Sequence, residues 1–313
     1  MDILIAGLTL GALYAIIALG YTMVYGIIEL INFAHGDVFT LGAFIAIPVL
    51  TRLINQNNTN IPLHESIIGI VVAVLVSAVL CAILGVVIER VAYRPLRNAP
   101  RLAPLITAIG VSLIIENAIQ QWQGGQLVFA PQVLATSTYN VLGFSITNVQ
   151  IMVILVALLM MAALDLFISR TNLGKAMRAV AQDREAAAMM GINVNRIISM
   201  TFLIGSGLAG AGAVFYLIDL GSVGYNSGFT LGLFAFTAAV LGGIGNIRGA
   251  MLGGILIGLI TSWVQADSPV LWAHIFRSGG GSEWYDVVIF ATLVLILVFR
   301  PAGLLGTNVT EKV

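Results

Sequence analysis

Apolar residues run along this chain in long unbroken stretches, with no one-sided stripe of the kind a water-facing helix carries, and polar residues collect in the gaps. The stretches lie near residues 3–28, 38–54, 67–88, 102–120, 149–168, 197–218, 229–243, 249–264 and 287–299. Crossing hydrocarbon as a helix takes about 20 residues, and most of the stretches reach or approach that length. The second and seventh are short and are expected to be tilted or re-entrant, because irregular backbone at membrane depth survives only where protein or a water-filled cavity covers it. The pattern predicts an all-α polytopic membrane protein of eight to nine transmembrane helices, with residues 1–313 forming one membrane domain.

Composition agrees. The chain is 59% hydrophobic and 9% charged, against about 25% charged in a soluble globule. Its formal net charge is zero, so nucleic acid is not an expected partner; membrane lipid is. The single cysteine, Cys81, sits inside an apolar run and is expected to be a buried, inert thiol. The N-terminus lacks the basic leader and small-residue cleavage site of a signal peptide, and the first run is read as a retained helix.

Basic residues orient the spans. One set of alternating loops holds Arg90, Arg94, Arg97, Arg101, Arg170, Lys175, Arg178, Arg184, Arg196, Arg248, Arg300 and Lys312, leaving only Arg52 and Arg277 for the other. The basic set is expected to face the cytoplasm. The N-terminus then lies outside if the stretch at 38–54 crosses, and inside if it is re-entrant.

Glycines recur at helical spacing. Gly7/Gly11, Gly249/Gly253 and Gly254/Gly258 are four apart, and Gly205-Ser206-Gly207 leads into Gly210 and Gly212. Such pairs let helix backbones approach closely in lipid. A faint internal echo joins Gly36-Asp37-Val38-Phe39-Thr40-Leu41-Gly42-Ala43 to the segment Gly245-Asn246-Ile247-Arg248-Gly249-Ala250-Met251-Leu252-Gly253-Gly254. Each sets a polar, glycine-flanked break before a small-residue helix, a feature of transporters built from diverged repeats.

Catalytic motifs do not appear. Around Gly174-Lys175, Ser169 replaces the first P-loop glycine and Ala176 the Ser/Thr. Intramembrane polar residues are therefore the candidates. Asn32, His35, Gly36 and Asp37, followed by Gly42, either line a pathway or gate, or cap helix ends. Glu116 and Asn117 must face the bundle interior, a cavity or the outer interface, as interhelical glue or as pathway lining. Asp165 is expected to reach the cytoplasmic interface or Arg170, and Asp219 to cap an outer helix end.

The loop at 172–196 is long for a compact bundle and reads as two short helices. Asp183 is a good N-cap for the second and Gly191 a good left-handed stop. A short helix needs partner or tertiary contacts to persist. The run Glu185-Ala186-Ala187 with Gly191 resembles the EAA loop of ABC importer permeases, although the continuing Ile-x-Leu-Pro is absent and residues 200–205 read MTFLIG. As a set, four segments resemble the branched-chain amino acid permease family, its H-type subunit in particular. They are Asn32-Phe33-Ala34-His35-Gly36-Asp37 with Leu41-Gly42-Ala43, Glu89-Arg90 with Tyr93-Arg94-Pro95-Leu96-Arg97, Gly174-Lys175-Ala176-Met177-Arg178-Ala179-Val180-Ala181-Gln182-Asp183, and Leu241-Gly242-Gly243-Ile244-Gly245-Asn246-Ile247-Arg248-Gly249. The resemblance implies an ATP-driven importer with an M-type permease partner, two ABC ATPases that use ATP and Mg, and a periplasmic solute-binding protein. It implies no cofactor on this chain, and a cytoplasmic coupling helix formed around Arg178, Asp183, Arg184, Glu185, Ala186, Ala187 and Gly191. Urea, short amides or other amino acids are alternative cargoes in the wider family, and a stand-alone ion-coupled carrier or channel is the competing class.

Overall fold

The computed structural model describes residues 2–54, 62–97, 99–100, 102–141, 144–266 and 284–306; the polar stretch at 55–60, Arg101, Arg277 and Lys312 lie outside them. The described helices are α1 (Asp2–Ile28), α2 (His35–Leu53), α3 (Leu63–Ile88), α4 (Leu102–Gln123), α5 (Asn148–Arg170), α6 (Asn172–Gln182), α7 (Arg184–Met189), α8 (Val194–Leu220), α9 (Ser227–Gly242), α10 (Ile247–Gln265) and α11 (Tyr285–Phe299). Two short antiparallel pairs join β1 (Val128–Phe129) to β4 (Ser222–Val223) and β2 (Thr138–Val141) to β3 (Phe144–Thr147).

Among the described residues, seven helices are long and apolar enough to cross a membrane, namely α1–α5, α8 and α10; α9 and α11 are shorter apolar helices. The chain is a multi-pass integral membrane protein. The short stretch at 38–54 becomes a 19-residue helix because α2 already starts at His35, whereas α9 stays at 16 residues.

Glycine spacing becomes packing. Gly7 of α1 faces Leu259 and Ser262 of α10, Gly11 faces Ile255, and Gly254 faces Ala15. A Cβ on Gly11 would sit 2.7 Å from the Ile255 Cα, so the small residues are what allow the two backbones to touch. On α8, Gly210 meets Ser77 and Cys81 of α3, and Gly212 meets Ile16. Cys81 is buried, with Sγ 3.4 Å from the Val38 carbonyl.

Side-chain contacts orient α1. Arg184 reaches the carbonyl of Ile27 at its C-terminal end, while Asp2 accepts from the Ser145 backbone N–H of β3 at the other end. The N-terminus therefore lies on the face opposite the basic loop, which decides between the two orientations the sequence left open. His35 packs on Gly20 and Tyr21 of α1, with the ring centroids of His35 and Tyr21 5.1 Å apart. That level is about 12 Å before the Ile28 end of α1, at 1.5 Å per residue. Residues 29–34 therefore turn back into the bundle. Glu29, the only non-glycine with positive φ among the described residues (54°), makes the turn.

Two expectations are corrected here. Of the two alternatives for Asp165, the Arg170 contact is the one replaced: Asp165 pairs with the exposed Arg248 of α10, one of the basic set, at 3.2 Å, because packing brings α10 beside the end of α5. Asp219 does not cap α8; Gly221 ends that helix at φ 72°, where a residue without Cβ is unstrained.

Candidate functional site

Two short helices, α6 and α7, project from the basic face. Thr171 caps α6 by accepting from the Gly174 N–H at 3.0 Å. Asp183 caps α7 by accepting from the Ala186 N–H at 2.9 Å, as its residue type predicts. Gly191 stops α7 at φ 84°, and the Ile192 and Gly191 N–H groups close back on the Ala187 and Ala188 carbonyls. Ala187 is the buried face of α7; Glu185 is exposed and Ala186 half-buried. Arg178 is exposed and donates to the Ile168 carbonyl, tying α6 to the end of α5. Arg184 donates through Nε and Nη2 to the Ile27 carbonyl at 3.3 and 2.9 Å. Met189 and Met190 stand 82% and 83% exposed beside these anchors. Their flexible thioethers suit an adaptable contact surface, and sequence reading did not single them out.

Next to this loop, α3 continues into a π-helical turn, Glu89–Tyr93. The turn aims the fully buried Glu89 carboxylate at α8. Arg94 pairs with it at 3.1 Å, Ser199 donates to it at 2.7 Å, and Arg97 bridges it to Asn195. The buried charge is thus fully paired. An acid followed by arginines five and eight positions on was the visible signal for this clasp.

The start of α2 is enclosed by α1, α4 and α9. Ala34 occupies its N-cap with no side-chain cap bond, so Asn32, His35 and Asp37 do not cap the helix end by hydrogen bonding, although Asp37 stands in its first turn as expected. Asn32 is buried and instead accepts from the Tyr93 hydroxyl at 3.0 Å. One Asp37 oxygen accepts from Ser112 of α4. The other, Oδ1, has no partner among the described residues, nor has the Thr40 hydroxyl or either ring nitrogen of His35, although all three residues are buried. Gly36 lies directly against Gly228 and Gly232 of α9, a helix crossing that no side chain would permit.

The other candidates disperse. Glu116 lies one turn along α4 from Ser112, half-buried and near Asp37. Asn117 points outward, exposed, and bonds its own helix at Leu113, 2.7 Å. Gly42 belongs to the contact of α2 with α3 and α8: its carbonyl accepts from Ser77 at 2.9 Å, away from the polar group. Thr40 was missed, although its i, i+3 relation to Asp37 puts both on one helix face. On the side away from the basic loop, a cavity of about 340 Å³ opens against the first turns of α9, walled by Tyr14, Tyr216, Ser227, Thr230, Phe234 and Tyr285.

The model of a family described as branched-chain amino acid transport system / permease component matches residues 3–297. The chain belongs to that family. It is 44% identical to the high-affinity branched-chain amino acid transport system permease protein BraD of Pseudomonas aeruginosa, over 99% of this chain and 97% of the relative. It is 39% identical to the permease protein LivH of Salmonella typhimurium (98% and 96% covered) and 38% identical to LivH of Escherichia coli K12 (98% and 96%). No solved structure matches it.

Proposed function

We propose that this chain is a permease subunit of an ATP-driven importer of branched-chain amino acids in a bacterial inner membrane. Residues 1–313 act as one transmembrane domain, and residues 172–196 are the loop that couples it to its motor. The partners on this reading are an M-type permease subunit, two ABC ATPases that bind ATP and Mg, and a periplasmic solute-binding protein. The substrate assignment is supported by near full-length similarity to BraD and LivH.

The observation that carries the coupling role is the construction of α7. It is capped at both ends by its own residues, held to α1 through Arg184, and left with Met189 and Met190 facing outward. A partner gripping that tip pulls on the carbonyl end of α1. The pull passes through the Glu29 turn and the Asn32–Tyr93 bond to the start of α2. The pathway and gate role of Asn32, His35, Gly36, Asp37 and Glu116 rests on their position along this line; the exposed Asn117 and the packing residue Gly42 lie off it.

The complete complex, reconstituted in vesicles with binding protein outside and ATP within, is expected to take up leucine without an ion gradient. Uptake driven by an ion gradient without ATP would sink the reading. Gly191→Val tests the loop. Nothing lies within 4 Å of a Cβ at Gly191, so the substitution acts only through its φ of 84°, displacing the end of α7. Membrane insertion should persist while ATP hydrolysis runs without transport; normal transport would remove the loop from the mechanism.

A further inference from the structure

Three oxygens converge on one point at the crossing of α2 and α9. The position that a Cβ would take on Gly228 lies 2.6 Å from Asp37 Oδ1, 2.7 Å from the Gly36 carbonyl oxygen and 2.7 Å from Thr40 Oγ1. The carboxylate oxygen and the hydroxyl are both buried and unpartnered, and the Gly36 carbonyl has a lone pair beyond its helical bond. The glycine itself, with only hydrogens on Cα, plugs the gap between them. Aliphatic C–H groups are weak donors, so the two side-chain oxygens are covered but not satisfied.

We propose that this cradle receives the ammonium group of the amino acid in transit once the first turn of α9 withdraws. The inference rests on the importer reading above and adds the atoms that meet the cargo. Three converging acceptors, one of them ionisable, match the three N–H donors of a primary ammonium. The match is stronger in a site shielded from water. Asp37 stands in the first turn of α2, whose N-cap residue makes no side-chain cap bond. The aromatic-walled cavity of about 340 Å³ lies beside Ser227 and Thr230, on the same first turns of α9 as Gly228. A branched aliphatic side chain suits its Tyr14, Phe234 and Tyr285 walls.

The test uses the complete complex in vesicles, reading leucine uptake and binding-protein-stimulated ATP hydrolysis together. Uptake by the wild-type complex decides the importer reading independently of any variant. Given that uptake, Asp37→Asn, which keeps the shape and removes the charge, is expected to lower it about tenfold while stimulated ATP hydrolysis stays within about twofold. Thr40→Val should lower uptake less, and Asp37→Glu should recover part of the loss. A residue that merely holds the bundle would move both readouts together and would not be rescued by the longer acid. That result overturns the proposal, as does Asp37→Asn transporting at the wild-type rate. A sodium requirement for uptake that Asp37→Asn abolishes would assign the cradle to an inorganic cation and likewise overturn it.

Discussion

The starts of α2 and α10 read alike in sequence, a polar break between glycines before a small-residue helix, and the molecule uses them in opposite ways. At α10, Asn246 caps the helix by accepting from the Gly249 N–H at 3.1 Å and donates to the Leu305 carbonyl at 2.8 Å. Every polar atom named there has a partner, and the joint lies at the basic face. At α2, the equivalent position lies inside the bundle, the N-cap is Ala34, and the carboxylate that follows is left half-bonded. A capped start stabilises its helix. An uncapped, enclosed start with idle oxygens costs stability, and such a cost is retained where function needs the groups.

Substitutions at three acids and an amide sharpen that contrast. Glu89 is the buried acid with all its partners in place, and Glu89→Gln should cost about 2 kcal/mol, reduced somewhat because Arg94 reaches water. Thermal unfolding in detergent measures it, and an unchanged midpoint would show that the clasp holds nothing. Asp37→Asn, despite its large effect on uptake, should leave the unfolding midpoint unchanged or raise it, because a half-bonded buried carboxylate is removed. A lowered midpoint would make α2 resemble α10 and erase the distinction. Asn246→Ala should do the reverse, costing about 1 kcal/mol for the lost cap with uptake within about twofold. Smallest of all, Asp165→Asn breaks a pair whose Arg248 side chain is 74% exposed and should shift stability by less than about 1 kcal/mol.

Much of the α6–α7 loop was legible because its determinants are local. Asp183 acts on an N–H three residues away, and Gly191 on its own φ and the preceding turn. Those interactions need no knowledge of the rest of the molecule, and they formed as expected. Glu116 and Asn117 show the opposite case. Adjacent and similar in polarity, they part company on α4, one toward Asp37 and one outward. Because α4 is apolar nearly all round, its sequence does not mark an inner face.

Sequence alone determined the membrane class, the basic side, the capped second helix of the loop and the glycine spacing at which helices touch. Each follows from residues within about one or two turns of one another or from the bulk preference of apolar surface for lipid. Only the tertiary structure decided which distant polar atoms meet: Asp165 with Arg248, Arg184 with Ile27, and Asp37 and Thr40 with Gly228. Helices that are greasy on every side carry no stripe to announce their partners. Which faces join is fixed by close backbone approach at small residues across the whole bundle.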